Sequence, residues 1–492
     1  MFTQPEYAEL DYKVIKELTT QLKADTEYSV SQENLISVNA KPYYVSHEAT
    51  DGKITFKGFL VYSIIIKVEG GCEKIEKRED FEGKIEDDCI IAGAKCFIKF
   101  ESDGVECVFN GDNADFSCVI NVNCKFYESK NVKYVCGGNG LSVLASPVEV
   151  CKHTCSVSRS FDIEDEFEIN NLYKDVLSYD SVSYVTGVKC AVGRIVVDGN
   201  VILSLCLLPF SQNSDIIKER REIPFRLEID CDDVNPDSFA CIAAVTRKTA
   251  LKVFVDEEKN KTTVSGVVTV CLAGDVFNCE QVSVSCDAYS DKCVTDCKYT
   301  VACMQKFDKT VGGTNNVFSK AVCDVPENSR FVCNFDDNLT GLNYSLSSGV
   351  AEVSGTVQTT ALFNVDGELI ARAATAPFSF ALPFDGDEIK MFGGALLKCN
   401  GKMRSGAIEM DCEVFTQYVA FKNDNITFLG GVVEGKEREE ITAPISVYLP
   451  GKGSTMWQLC KDVCMREEEI LKLNPDLTFP LTGNERIIIY RR

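Results

Sequence analysis

The chain has 492 residues, 45% hydrophobic and 25% charged, with a net charge of -23 and only two histidines. Such an acidic balance excludes a nucleic-acid binder, which needs clustered Lys and Arg to release counterions. With His47 and His153 alone, most acid-base and hydrolytic constellations are also removed.

Residues 1–25 form an N-terminal segment. Its opening, MFTQPEYAELDYKVIKEL, has no basic region followed by an apolar run, so a secretory signal is not expected and the chain reads as cytosolic. No uninterrupted apolar stretch approaches the ~20 residues of a membrane helix. Beyond this segment, Val, Ile, Phe and Cys recur in short runs separated by Gly, Asn, Asp and Ser clusters, which predicts a mainly β body. The 25 cysteines are odd in number and show no recurring spacing, unlike a disulfide framework. Most sit in apolar strand runs, such as Cys118 in FSCVI, Cys206 in ILSLCLL and Cys271 in VVTVCLA, where cysteine acts as a small hydrophobe in a reducing compartment.

Three diverged copies of one pattern are expected as tandem β-sandwich-like modules over residues 26–150, 160–300 and 308–435. The copies read GKITFKGFLVYSIII, GRIVVDGNVILSLCLL and GVAEVSGTVQTTALF. Each carries two glycines six apart: Gly52 and Gly58, Gly193 and Gly199, Gly349 and Gly355. Glycine inside a strand marks a bulge or a close backbone approach, so these six are read as structural. Downstream, each copy gives a further strand with a phenylalanine, Phe81, Phe225 or Phe378, and then an acidic turn. A hairpin follows in each, with Glu257 to Asn260 as its loop in the second copy.

Enzyme signatures are missing along this body. No Gly-x-Ser-x-Gly elbow or HExxH helix occurs, and Gly430 to Lys436 is followed by Glu437 rather than the Ser or Thr of a phosphate loop, so it reads as the end of the third module. Cys151-Lys152-His153-Thr154-Cys155 carries soft-metal ligand types, with Cys293 and Cys297 as the one paired partner; adventitious cysteines between modules are the preferred reading. The expectation is a non-enzyme with no catalytic residue, no metal and no cofactor.

After a linker at 436–444, residues 445–492 read as strand, helix, helix, strand, a small α+β (βααβ) module. Ile445, Val447 and Leu449 alternate with polar or turn residues, as a half-buried strand requires. Gly451 and Gly453 break the strand, Ser454 or Thr455 caps a helix with Met456, Leu459, Cys460 and Val463 at helical spacing, and Glu467, Glu468 and Glu469 open a second helix. Asn474-Pro475-Asp476 stops it, and Gly483-Asn484 turns into Ile487 to Tyr490.

This pattern resembles the LysM module in Trp457, Glu469-Ile470, Asn474-Pro475, Pro480-Leu481, Gly483 and the closing isoleucines. The resemblance implies a ligand or partner groove between Gly453-Ser454-Thr455-Met456 and Asn474-Pro475-Asp476-Leu477. It also implies a structural core of Trp457, Leu459, Ile470, Ile487 and Ile489. Relatives bind N-acetylglucosamine polymers or protein there; Ser454 stands where the turn usually carries an acid. Seven Lys or Arg against six Asp or Glu make this module +1, leaving -24 for the rest.

Three such repeats before one C-terminal LysM resemble the SPOCS-domain spore coat morphogenetic proteins of the SipL type, with SpoVID a functional counterpart. The resemblance implies a non-enzymatic scaffold of the mother cell, acting at the forespore outer surface through a SpoIVA-like coat-basement ATPase and other coat proteins. The alternative is a peptidoglycan or N-acetylglucosamine binder of cell wall or cortex, with glycan as partner.

Overall fold

Along GKITFKGFLVYSIII, Ile54, Phe56, Leu60, Tyr62 and Ile64 are all fully buried, because every second side chain of a pleated strand points to the same face. The computed structural model describes residues 4–69, 71–210, 216–326, 328–437 and 445–490, and is 79% strand and 3% helical.

The first module comprises β1 (Glu6–Tyr28), β2 (Leu35–Thr50), β3 (Lys53–Val68), β4 (Gly71–Glu86), β5 (Cys96–Asn110) and β6 (Asn113–Gly137). Strands β2, β3 and β4 form an antiparallel meander, while β6 returns from β5 to pair with β1 in a second sheet. The second module repeats this plan with β7 (Leu141–Asn170), β8 (Tyr173–Ala191), β9 (Arg194–Pro209), β10 (Ile217–Asp230), β11 (Phe239–Asp256) and β12 (Lys261–Ser290). So does the third, with β13 (Cys293–Val322), β14 (Arg330–Ser347), β15 (Val350–Val365), β16 (Glu368–Pro383), β17 (Glu388–Arg404) and β18 (Ala407–Glu437).

Central strands supply the core between the two sheets of each module. Phe56 and Tyr62 of β3 cluster with Phe116 and Ile120 of β6, Val197 of β9 with Val270 of β12, and Phe363 of β15 with Met410 of β18. Gly52, Gly193 and Gly349 have φ of +72°, +72° and +77° at the second position of two-residue hairpin loops, a backbone region that glycine enters without Cβ strain. Gly58, Gly199 and Gly355 lie opposite Phe81, Phe225 and Phe378 in register, and each phenylalanine ring covers its glycine. A Cβ on Gly58 would come within 2.5 Å of the Phe81 ring, and one on Gly355 within 2.8 Å of the Phe378 ring.

Element boundaries differ from those read along the sequence. Residues 6–25, set apart there as an N-terminal segment, lie in β1 and pair with β6. Strand β7 starts at Leu141 and β13 at Cys293, each inside the stretch assigned to the preceding module. Gly430 to Lys436 continue β18, so strand persists to Glu437, and the linker residues 438–444 fall outside the described residues. The reason is common to all three modules: the first strand of each is completed by its last, with register partners 85 to 149 positions apart, and no local signal announces that pairing.

The modules close on one another rather than stringing out. Leu10 and Tyr134, Val150 and Val284, and Met304 and Phe428 form one buried cluster with members from all three; Ile15, Phe277, Phe307 and Phe421 form another. Polar seams join every pair. Between the first and second modules Lys125 donates to Asp275 at 2.8 Å, with Ser156 also donating to that carboxylate at 2.8 Å. Between second and third, Arg220 donates to the Leu397 carbonyl at 3.1 Å, and between third and first the Met391 N–H donates to Glu17 at 2.8 Å. Burial pushes Asp275 up, but hydrogen bonds from His153 and Lys125 outweigh it and hold the carboxyl below its usual range.

Candidate functional site

The C-terminal module consists of β19 (Ile445–Tyr448), α1 (Met456–Val463), α2 (Glu467–Leu473) and β20 (Ile487–Tyr490), with β19 antiparallel to β20. Thr455 caps α1 by accepting the Gln458 N–H at 3.2 Å, and Leu459, Cys460 and Val463 face inward. These pack with Ile470, Leu481, Ile487 and Ile489.

One wall of this small core comes from elsewhere in the chain. Tyr289, near the end of β12 and only 3% exposed, packs within the same cluster, and its hydroxyl donates to the Met465 carbonyl at 2.8 Å. The Trp457 ring meets the Tyr289 ring edge to face at 5.0 Å, and its indole N–H donates to Asp287 Oδ2 at 2.8 Å. Lys461, one turn further along α1, donates to both Asp287 oxygens at 2.8 Å. Burial raises the Asp287 pKa, but the hydrogen bonds from Lys461 and Trp457 prevail and leave it lowered.

The sequence-derived groove residues separate by what they touch. Gly453 donates its N–H to the Leu481 carbonyl at 2.7 Å, Leu481 donates back to the Ser454 carbonyl at 3.0 Å, and the Ser454 hydroxyl donates to the Gly451 carbonyl at 2.8 Å. The Asn474 amide donates to the carbonyls of Ile470 and Ile488 at 3.0 and 2.8 Å, and its oxygen accepts the Ile488 N–H at 2.7 Å. That side chain ties the end of α2 to β20. Met456 and Leu477 are half-buried against the core, leaving Thr455, Pro475 and Asp476 exposed.

Strand β19 has the expected alternation in the opposite phase. Tyr448 turns toward the core, whereas Ile445, Val447 and Leu449 are 65%, 58% and 69% exposed. Ile488 and Tyr490, register partners of Val447 and Ile445, are exposed as well, so the outer side of the two-stranded sheet is an apolar face. The sequence gives no local sign of this, because alternation is unchanged when a strand turns over.

The Cys151–Cys155 stretch lies in β7, not between modules. Cys151 stands opposite Cys279 on β12, and His153 hydrogen-bonds Ser156 and Asp275 at 3.0 and 3.2 Å. Among the described residues no group of three or more His, Cys, Asp or Glu is placed to hold a metal ion, and no helix is long and apolar enough to cross a membrane. A cleft of about 310 Å³ lies between the first and third modules, lined by Asp103, Glu106, Asp336, Asn338 and Gln358. The contacts of Asp287 and Tyr289 with Met465, Trp457 and Lys461 carry no signature in the sequence, since contacts spanning some 170 positions leave no spacing to read. No family model, curated protein or solved structure matches the chain.

Proposed function

We infer that the chain is a non-enzymatic scaffold of spore coat assembly, in which three closed β-modules carry a LysM-like C-terminal module that docks a SpoIVA-like coat-basement ATPase at the forespore surface. The observation that supports it is the apolar outer face formed by Ile445, Val447, Leu449, Ile488 and Tyr490. Contiguous exposed apolar side chains favour a protein surface as occupant. Sugar recognition is disfavoured by the same module: Trp457 is engaged with Asp287 and Tyr289, and the Asn474 amide is consumed within the fold. The module's charge of +1 beside a body at -24 also makes it the surface on which an acidic partner meets least repulsion.

The test is a pull-down of the ATPase with the full chain and with Val447→Asp and Ile488→Lys, both on the exposed face. Loss of capture in the variants, with Trp457 emission unchanged, supports the reading. Undiminished capture, or binding of chitin oligomers at micromolar strength by a chain that does not capture the ATPase, refutes it.

A further inference from the structure

Cysteines meet in pairs across this fold. Cys151 faces Cys279 in the β7–β12 register, and Cys399 faces Cys412 in the β17–β18 register. A third pair is different in kind. Cys206 of β9 and Cys333 of β14 belong to different modules, 127 positions apart, and their sulfurs lie 3.7 Å from each other. Both are buried in a cluster to which all three modules contribute, including Ile65 and Cys72 from the first, Leu177 and Leu208 from the second, and Phe335 and Leu362 from the third.

We propose that Cys206 and Cys333 form a dithiol–disulfide latch that a peroxide closes covalently between the second and third modules. The sulfurs are already in van der Waals contact at 3.7 Å and have to close to the ~2.05 Å of a bond. Both residues are buried, and the less buried of the two, Cys333 at 8% exposure against 2% for Cys206, is assigned the first oxidation step. Hydrogen peroxide transfers one oxygen to the Cys333 sulfur, giving the sulfenic acid and one water. The Cys206 sulfur then attacks it: the S–S bond forms, the S–O bond breaks, and the Cys206 proton leaves with the hydroxide as a second water. Two thiols are thereby oxidised by two electrons while one peroxide is reduced to two waters. The contact between Cys206 and Cys333 and burial, in that order, raise the Cys206 pKa, so thiolate is scarce, and both closure of the latch and exchange with external disulfides are slow. Once formed, the bond is shielded from reductant by the same apolar cluster.

The experiment is peroxide titration of the reduced full chain, followed by alkylation in denaturant and non-reducing peptide mapping. Cys136 and Cys303, both exposed, calibrate the dose. At a dose that oxidises those two, the expected result is a Cys206–Cys333 cross-linked peptide that dithiothreitol removes, with Tm raised by ~5 °C. The rise should vanish in Cys206→Ala and in Cys333→Ala, each compared with its own reduced form. Recovery of both cysteines as alkylated thiols at that dose overturns the latch, as does cross-linking of each to other cysteines. The mapping is done on the unsubstituted chain, so its outcome holds whether or not the variants fold.

Discussion

The indole N–H of Trp457 donates to Asp287 at 2.8 Å, joining the C-terminal module to the second β-module. Because Trp457 is the only tryptophan, the docked state has its own optical reporter. Asp287→Ala removes the acceptor shared by Trp457 and Lys461, and should weaken docking by about 1–2 kcal/mol, the charge-assisted bonds being discounted for partial exposure. The expected readout is a red-shifted Trp457 emission with β-structure retained; an unchanged emission maximum counts against the contact.

The same contact carries a pH dependence. Asp287 is lowered in the folded chain, so its stabilisation is fully present above the usual carboxylate pKa of about 4 and is lost as pH falls further, through the lowered value. Acid titration of Trp457 emission should show undocking below about pH 4 in the native chain. Asp287→Asn should abolish that transition.

Asp336 behaves in the opposite sense. Burial, then the Asp180 charge, push its pKa up to about 6 despite Lys41, at a seam where it accepts a hydrogen bond from Ser178 of the second module. A raised carboxyl stabilises most when protonated, so its contribution falls as pH rises from about 4 to about 6. Asp336→Asn should therefore stabilise the chain at pH 7 by on the order of 2 kcal/mol and have little effect at pH 4. Asparagine also tolerates the φ of +52° at this position. Denaturant unfolding at the two pH values checks both the sign and the window.

Gly199→Ala should destabilise the second module by about 1–3 kcal/mol, because the added Cβ meets both the Phe225 ring and the Tyr184 carbonyl. Gly187→Ala, with open space around it, is the control. Equal unfolding midpoints for the two variants would refute the close approach.

What the sequence determined by itself was local chemistry. Apolar alternation made strands of the segments around Gly52, Gly193 and Gly349, and helical spacing placed α1; that those three glycines sit at positive φ in two-residue loops rather than inside strands, and that Thr455 rather than Ser454 is the cap, came from the structure. The pairing of Gly58, Gly199 and Gly355 with a phenylalanine is visible as recurrence, since ring and glycine are strand neighbours within one meander. Only the tertiary structure decided which side of β19 faces inward, that β1 completes a sheet with β6, that Asp287 and Tyr289 close the core of the C-terminal module, and that Cys206 meets Cys333. Spacing along a chain reports neighbours one strand or one helical turn apart; contacts made when whole modules pack depend on where their surfaces come to rest, and residues over 100 positions apart share no period that records it.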